Sequence, residues 1–271
     1  MGIVLSFCNM VTFDILRMSS TVTAGTTWWR PFRRTSKKDK KTPSPSEEPR
    51  PYLHPEYSKA KVIDLDIREI VRLPTGFEHD EWVGSTTLSF FNNINLLYGV
   101  LVHDYCNNES CPVMSAPNNV QYNWQDERGK KAKCTAPQYI EYAMTYSERQ
   151  FKDETVFPTK YGQIFPSDFR SIIQRINRYF FHLLAHIYHS HFLHLTEHDL
   201  HRHLNSIFCH FMHFSVEFDL IDTKDTAVLE DLIEIMQLNC QEGSAASGAA
   251  TDTDSSISGA VDPKRGSSPE Q

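Results

Sequence analysis

Two cysteines and a cluster of histidines are the residues of this 271-residue chain whose types and spacing could do chemistry. Cys106 and Cys111 lie in the short polar stretch CNNESCP. Such a pair could be a disulfide, a redox pair, half of a metal site, or nothing. The N-terminus has no credible secretory signal, because it lacks a basic start and Asp14 interrupts it. In a reducing compartment disulfides are not expected, and close cysteine pairs more often bind metal or do redox chemistry.

A metal site needs two ligands besides the cysteines. A four-residue loop can bring two thiolates to about 2.3 Å from zinc. The chain has 13 histidines, ten of them between 182 and 213, and most of these are expected to be surface or half-buried helix residues. His182 and His186 share a helix face, whereas His186 and His191 lie about 140° apart on an ideal helix. Spacing alone favours His182 with His186, and the second pair converges only if the helix loosens or ends between them.

Motifs for catalysis are missing from the sequence. It contains no GxGxxG, Walker-type loop, GxSxG or HExxH, and no nucleophile–base pair is visible, so we expect that the protein is not an enzyme. One alternative stays open, a zinc hydrolase that uses His189 or His194 with an open metal. That chemistry needs a metal-bound water, which a closed site of two cysteines and two histidines does not hold.

The elements that would position these residues are mainly helical. Apolar periodicity predicts a helix over 86–102, and alternation in VQYNW, with KKAKC after it, predicts a small β-hairpin. Thr135 with Gln138 forms a capping box for a helix that runs to about 150. A long helix begins near Pro166, and Thr196 and Asp222 could cap two further helices. Residues 63–72 are predicted as a short helix or irregular segment. The pattern is that of a mainly α domain packed as a bundle.

Composition divides the chain into three parts. Residues 1–60 form a basic leader and residues 241–271 a tail rich in Ser, Gly, Ala and Asp. Both are predicted to be disordered because they have too little apolar surface to offset the entropy of ordering. Residues 61–240 are predicted to form one globular domain. No run of 18 apolar residues occurs, which argues against a transmembrane helix.

Charge is distributed unevenly along the chain. Residues 1–50 carry 9 Lys and Arg against 4 Asp and Glu, and the remainder carries 18 against 30. An acidic folded domain argues against nucleic acid as a partner, because phosphate binding needs the opposite sign. It favours a basic protein partner, although the same charge could serve only solubility.

Six segments in order carry a resemblance to a known family: FFNNINLLYG, CNNESCPVMSA, CTAPQY, VFPTKYGQIFP, AHIYHSHF and HLNSIFCHF. They resemble the signature segments of the Mob kinase-activator (Mob/phocein) family from about residue 65 to 238. The resemblance implies a helical bundle with a small β-hairpin and a structural zinc ion. The implied ligands are Cys106, Cys111, His186 and His191, with the helix ending near residue 190.

The resemblance also implies a function. Mob proteins are adaptors that bind the basic N-terminal regulatory region of NDR/LATS-type protein kinases. The implied partner-binding residues are Glu78, Glu81 and Trp82, followed by the helix over 86–98. Trp82 could instead be a core residue. A Mob-fold scaffold with a non-kinase partner is a further alternative.

DERGKKAKCTAPQY is similar to the type-two Mob proteins. Ser89 stands where type-one members carry an acidic residue linked to LATS-type binding. Arg178, Tyr179 and His182 stand where type-one members carry three basic residues that hold phosphorylated segments of upstream Hippo-type kinases. The resemblance therefore implies NDR-type binding, little LATS-type binding and little phosphopeptide binding.

The N-terminus suggests lipidation. MGIVLS fits the myristoylation pattern at Gly2, and Cys8 is close enough to be palmitoylated. A basic cluster between residues 30 and 41 could supply the second membrane signal. We expect a cytoplasmic and nuclear protein, monomeric when free, with peripheral or cortical membrane association if it is acylated.

Overall fold

Nine α-helices and four short strands make up the part of the chain that the computed structural model describes, residues 50–238 without 63, 64, 103, 127 and 161. The helices are α1 Pro55–Ser58, α2 Ile67–Val71, α3 His79–Gly99, α4 Ala136–Lys152, α5 Phe169–His186, α6 Phe192–Glu197, α7 His201–Glu217, α8 Thr223–Thr226 and α9 Glu230–Ile235. The strands are β1 Met114–Ala116, β2 Val120–Tyr122, β3 Trp124–Gln125 and β4 Lys131–Ala132. Turns of 3₁₀ helix cover Pro51–Leu53 and Ala227–Leu229, and a π-helical segment, Ile187–His191, joins α5 to α6. None of the described helices has the length and apolar content needed to cross a bilayer.

The four long helices α3, α4, α5 and α7 pack around one aromatic core. Phe90 on α3 is fully buried and lies edge-on to three side chains of α7, with ring centroids 4.8 Å from His210, 5.5 Å from Phe211 and 5.6 Å from Phe214. Edge-to-face ring pairs of this kind add to the free energy of burying apolar area. The predicted mainly α bundle is confirmed.

Local signals in the sequence set some helix boundaries. The capping box is present at α4, where the Gln138 backbone N–H donates to the Thr135 hydroxyl and Gln138 Oε1 accepts from the Thr135 backbone N–H. Asp222 caps α8 by accepting from the backbone N–H of Lys224. The prediction for Thr196 is wrong. It lies in the last turn of α6, its hydroxyl donates to the Phe192 carbonyl, and α7 begins only after Leu200.

Tertiary packing extends α3 beyond its predicted range of 86–102. The helix begins at His79, because Trp82 and Val83 face the core and continue the apolar stripe of the later turns. The single predicted hairpin is instead two. In the first, Met114 of β1 pairs with Tyr122 of β2, and in the second, Trp124 of β3 pairs with Ala132 of β4.

The segment just before residue 61 packs against the bundle. Tyr52 is buried, edge-on to Tyr188 and Phe192. The Asn205 side-chain amide donates to the backbone carbonyls of Tyr57 and Ala60. These contacts offset the entropy of ordering residues 51–60, which the composition had assigned to the leader. Residues 1–49 and the predicted tail, 241–271, lie outside the described residues.

Candidate metal centre and partner surface

Four buried side chains from two distant parts of the sequence meet beside β1. The ligand atoms of Cys106, Cys111, His186 and His191 all lie within 4.8 Å of one another. Cys106 Sγ lies 3.7 Å from His186 Nε2, and Cys111 Sγ lies 3.4 Å from His191 Nε2. A tetrahedral zinc with bonds of about 2.3 Å to sulfur and about 2.0 Å to nitrogen would hold such a pair about 3.5 Å apart. The geometry is therefore compatible with a zinc ion.

The π-helical segment Ile187–His191 explains how His186 and His191 converge. In a π-helix the backbone bonds run from i to i+5, so a single such turn inserts one extra residue into an α-helix. Residues five apart then come to the same side of the helix. The resemblance implied that the helix ends near residue 190. Instead, the helix widens into the π-helical segment and the chain continues directly as α6. His182, which α-helical spacing favoured, lies outside the cluster.

The loop that carries the two cysteines is shaped by Asn107. The Asn107 side-chain oxygen accepts from the backbone N–H groups of Glu109 and Ser110, 3.0 Å away in each case. The Asn107 carbonyl accepts from the backbone N–H of Cys111. This turn uses the tendency of asparagine to bond its own following backbone. It places both sulfurs on the same side of the loop, facing the two histidines.

The protonation pattern of the cluster suits a cation. His186 Nδ1 lies 2.8 Å from the Ser115 carbonyl oxygen, which can only accept, so Nδ1 carries the proton and Nε2 offers its lone pair to the cluster. The pKa of Cys111 is lowered chiefly because its sulfur accepts a hydrogen bond from the Cys106 thiol. A thiolate is the form of cysteine that binds metal. Zinc would supply the positive charge that two buried thiolates require.

The site is closed on all sides. Its four side chains are between 0 and 6% exposed, which leaves no path for a substrate. Four protein ligands also fill a tetrahedral coordination shell. Within the described part of the chain no second group of three or more such ligands was found, and neither His189 nor His194 belongs to this one. His194 instead stacks on Tyr105, with ring centroids 4.3 Å apart. The arrangement fits a structural site better than a hydrolytic one.

Among the predicted partner-binding residues, Glu78 immediately precedes α3 and the others lie in its first half; they differ in exposure. Glu78 and Glu81 are exposed. Trp82 is only 4% exposed, and its indole N–H donates to the Val71 carbonyl at 3.2 Å, which is the core role that the sequence left open. Ser89 is half-buried, and its hydroxyl donates to the Ser85 carbonyl. Contact of these residues with a partner stays a prediction.

An exposed stripe on α3 includes Leu88, a residue that the sequence did not single out within the implied helix over 86–98. We define this α3 stripe as Glu78, Glu81, Ser85, Leu88, Asn92 and Asn95, all exposed and spaced by three or four residues. Leu88 is the only large apolar residue among them and is 40% exposed. Its position off the buried stripe of the helix was the signal that could have identified it.

The three positions that matched the type-one basic cluster do not form a cationic site here. Arg178 Nε lies 2.7 Å from Asp225 Oδ2, so its charge is already paired. His182 is stacked on Tyr122 at 3.7 Å between ring centroids, and its Nδ1 lies 2.6 Å from the Tyr139 hydroxyl. Burial, and secondly Arg178, lower the pKa of His182 to about 3, so its ring is neutral at neutral pH. Tyr179 is half-buried.

The predicted lipidation residues, Gly2 and Cys8, lie outside the described residues.

Comparison with known proteins supports the family relationship that the sequence motifs suggested. Residues 59–229 match the Mob1/phocein family. The chain is 43% identical over 208 residues to human "MOB kinase activator 2", covering 77% of this chain and 86% of that protein. It is 38% identical over 225 residues to Drosophila melanogaster "MOB kinase activator-like 2", covering 83% of this chain and 39% of that protein. Arabidopsis thaliana "MOB kinase activator-like 1A" is 41% identical over 171 residues, 62% of this chain and 79% of that protein. The family match, the shared identity and the fold together show that this chain belongs to the Mob1/phocein family.

Proposed function

We propose that this protein is a non-catalytic co-regulator of a protein kinase and binds the basic N-terminal regulatory region of NDR-type kinases. Its relatives are named kinase activators, which describes regulatory proteins rather than enzymes. The observation that carries the proposal is the α3 stripe. It is an exposed helical face with carboxylates at one end and one apolar anchor near its middle.

The chemistry of the α3 stripe suits a basic amphipathic helix. Glu78, Asp80 and Glu81 bring three carboxylates to the first turn of α3, and the described residues give Glu78 and Glu81 no ion-pair partner. Leu88, two turns further on, offers the apolar contact that an amphipathic helix requires. Opposite charges across an interface raise the association rate and exclude partners of the wrong sign.

Preference for NDR-type over LATS-type kinases rests on Ser89. Its hydroxyl is engaged with the Ser85 carbonyl and it carries no charge, so a basic residue of a LATS-type partner would find no carboxylate at this position. The family resemblance assigns that carboxylate to type-one members. The preference is part of the proposal.

Weak binding of phosphopeptides completes the proposed specificity. A phosphate needs clustered cations to replace its hydration. Of the three positions in question, Arg178 is paired with Asp225 and Tyr179 and His182 are uncharged. Calorimetry with a phosphothreonine peptide should therefore detect no tight complex, and a tight complex would overturn this part.

We also propose a structural role for zinc and a cytoplasmic and nuclear location. Zinc would tie the loop after α3 to the α5–π segment, so that binding free energy becomes folding free energy. Membrane association would depend on acylation at Gly2. The free protein is proposed to be monomeric.

The test is a pull-down of NDR-type and LATS-type N-terminal kinase fragments by the full chain. Reversing one charge at about 4 Å in water changes the interaction by about 2 kcal/mol, or about thirtyfold in affinity. We therefore expect Glu81→Lys to lose most of its binding to the NDR-type fragment. Glu234→Lys, an identical change at an exposed residue of α9, is the matched control and should bind like wild type.

Binding to the NDR-type fragment alone, lost only with Glu81→Lys, supports the whole proposal. Equal binding of both fragments would remove the specificity assigned to Ser89. Binding to neither would leave the family and the fold intact but refute a kinase of this class as the partner.

A further inference from the structure

An open aromatic groove of about 400 Å³ lies between β3, α4 and α5, away from the metal cluster. Its wall is a continuous row of partly exposed rings. The centroid of Trp124 lies 5.5 Å from that of Tyr142 and 5.1 Å from that of Tyr179, and Tyr179 lies 5.6 Å from Tyr146. Tyr142 is 44% exposed, an unusual position for a large ring. A contiguous exposed aromatic surface of this kind marks a binding site more often than a scattered apolar residue does.

The two ends of the groove carry opposite charges. Asp126 and Glu141, both exposed, line the end near Trp124 and Tyr142. Arg149 and Arg175 line the other end, where each guanidinium lies over the Tyr146 ring at 5.7 and 5.8 Å from its centroid. These stacked guanidinium groups are held in place at the groove by a cation–π contact.

The rings also present hydrogen-bond donors. The Trp124 indole N–H and the hydroxyls of Tyr142, Tyr146 and Tyr179 make no hydrogen bond to another described residue. Each is an amphipathic side chain with an apolar face for packing and a polar tip for a ligand. A ligand that suits them offers flat apolar surface together with carbonyl acceptors.

A polyproline II segment has these properties. Its backbone makes no internal hydrogen bonds, so its carbonyls are available as acceptors, and its proline rings pack on aromatic side chains. Its preformed shape lowers the entropy cost of binding. A peptide recognised mainly through phosphate would be repelled by Asp126 and Glu141. Of the three positions related to phosphate binding in type-one proteins, Tyr179 is the one that lines this groove.

The charged ends of the groove set the separation of the two charged residues in the ligand. Glu141 and Arg149 are eight residues apart on α4, which corresponds to about 12 Å along the helix axis. Four residues of polyproline II span about the same length at about 3.1 Å each. A basic residue and an acidic residue four positions apart, with prolines between them, would meet both ends.

We propose that this groove is a second interaction surface, distinct from the α3 stripe, that binds a proline-rich segment of a partner protein with a basic residue at one end and an acidic residue at the other. The row of rings packs against the prolines, and the ring donors bond the peptide carbonyls. The proposal does not depend on the identity of the kinase partner.

The test is a ¹⁵N NMR titration of the full chain with a peptide containing Arg-Pro-Pro-Pro-Glu. The readout is the indole N–H signal of Trp124, assigned with Trp124→Phe. Trp82 supplies an internal control, because its indole N–H is buried and donates to Val71. We expect a saturable shift of the Trp124 signal with the Trp82 signal unmoved.

Three variants and two peptides make the result specific. Tyr142→Ala removes an exposed ring and should weaken binding about tenfold, as loss of an aromatic anchor does, whereas Leu193→Ala, at a 58% exposed site on α6, should leave it unchanged. Glu141→Gln should weaken binding of the Arg-Pro-Pro-Pro-Glu peptide but not of an Ala-Pro-Pro-Pro-Ala peptide.

Three outcomes would overturn the proposal. The first is no shift, and the second is an equal shift with an Arg-Ala-Ala-Ala-Glu peptide, which would mean that charge alone is recognised. The third is movement of the Trp124 signal, with no peptide added, in a Pro43→Ala/Pro45→Ala variant. That would assign the groove to the chain's own proline-containing leader rather than to a partner.

Discussion

Removing zinc should destabilise this protein by an amount that follows from the separation of its ligands along the chain. Cys106 and His186 are 80 residues apart, and so are Cys111 and His191. A cross-link that closes a loop of 80 residues removes about 15 cal/mol/K of entropy from the unfolded chain, or about 4.5 kcal/mol at 25 °C. Both Cys–His pairs close essentially the same loop, so the entropy of closing that loop is counted once.

The loss should be visible as a fall in melting temperature. A domain of this size loses about 2–4 °C for each kcal/mol, so chelation should lower the midpoint by about 9–18 °C. The assay is thermal unfolding followed by circular dichroism, before and after treatment with a chelator and again after zinc is restored. Metal content is measured in parallel and should be one zinc per chain.

Variants separate the metal effect from general damage. His191→Gln should lose the zinc and melt at a temperature that no longer responds to chelator. His189→Gln is the matched control, because His189 lies between the two ligands in sequence but outside the cluster, and it should retain one zinc. The reasoning is refuted if the wild type binds no zinc, or if its melting temperature does not change when a chelator is added. It is also refuted if His189→Gln loses the metal while His191→Gln keeps it.

Four other changes have definite expected results. Cobalt substituted into the site should give a tetrahedral spectrum that added anions do not alter, because the shell is closed; an anion response would favour an open, hydrolytic metal. Gly84→Ala should destabilise the domain by up to about 2 kcal/mol in denaturant unfolding, since the added Cβ would lie 3.2 Å from the Phe157 ring and 3.3 Å from the Phe169 ring, and the overpacking cost of about 1–3 kcal/mol exceeds the gain of about 1 kcal/mol of alanine over glycine in a helix; a net gain in stability would show that both rings move aside. Burial, and secondly His213, lower the pKa of His210 to about 3 in the folded state, against about 6.5 when unfolded. The unfolded chain therefore binds the proton first as pH falls below about 6.5, and the free energy of unfolding falls with pH. With zinc saturating, the slope of that free energy against pH, between about pH 4 and 6, should be smaller in His210→Leu by about 1.4 kcal/mol per pH unit. Equal slopes would show that His210 is protonated equally in the folded and unfolded states. A myristate analogue should label the wild type and not Gly2→Ala, and absence of label in the wild type would end the acylation hypothesis.

Local chemistry made several elements predictable from the sequence. The capping box at Thr135 and the cap at Asp222 are contacts between residues two or three apart, so they are encoded where they act. Thr196 has the same chemistry but forms no cap, because its hydroxyl bonds the Phe192 carbonyl one turn back within α6. The residue type permits both bonds, and the surrounding helix selects one.

Tertiary packing decided which residues of a helix face the core. Trp82 follows two carboxylates in sequence, and the pattern alone fits either an interface anchor or a core residue. The structure can bury it because α2, which packs against α7, supplies the Val71 carbonyl that accepts from its indole N–H. A hydrogen-bond partner eleven residues away is not visible in helix periodicity.

The metal centre shows most directly what the sequence determined and what it did not. The sequence supplied residue types that bind zinc and, through the family motifs, the same four residues that the structure brings together. The spacing of the two cysteines and that of the two histidines are each local features of the sequence. Helix periodicity alone favoured His182, since ideal α-helical geometry separates His186 from His191. Only the folded chain, with Ser115 accepting from His186 and a π turn over Ile187–His191, brings that pair to the two sulfurs. The physical reason is that a π turn is costly in an isolated helix, and contacts from distant parts of the chain must stabilise it.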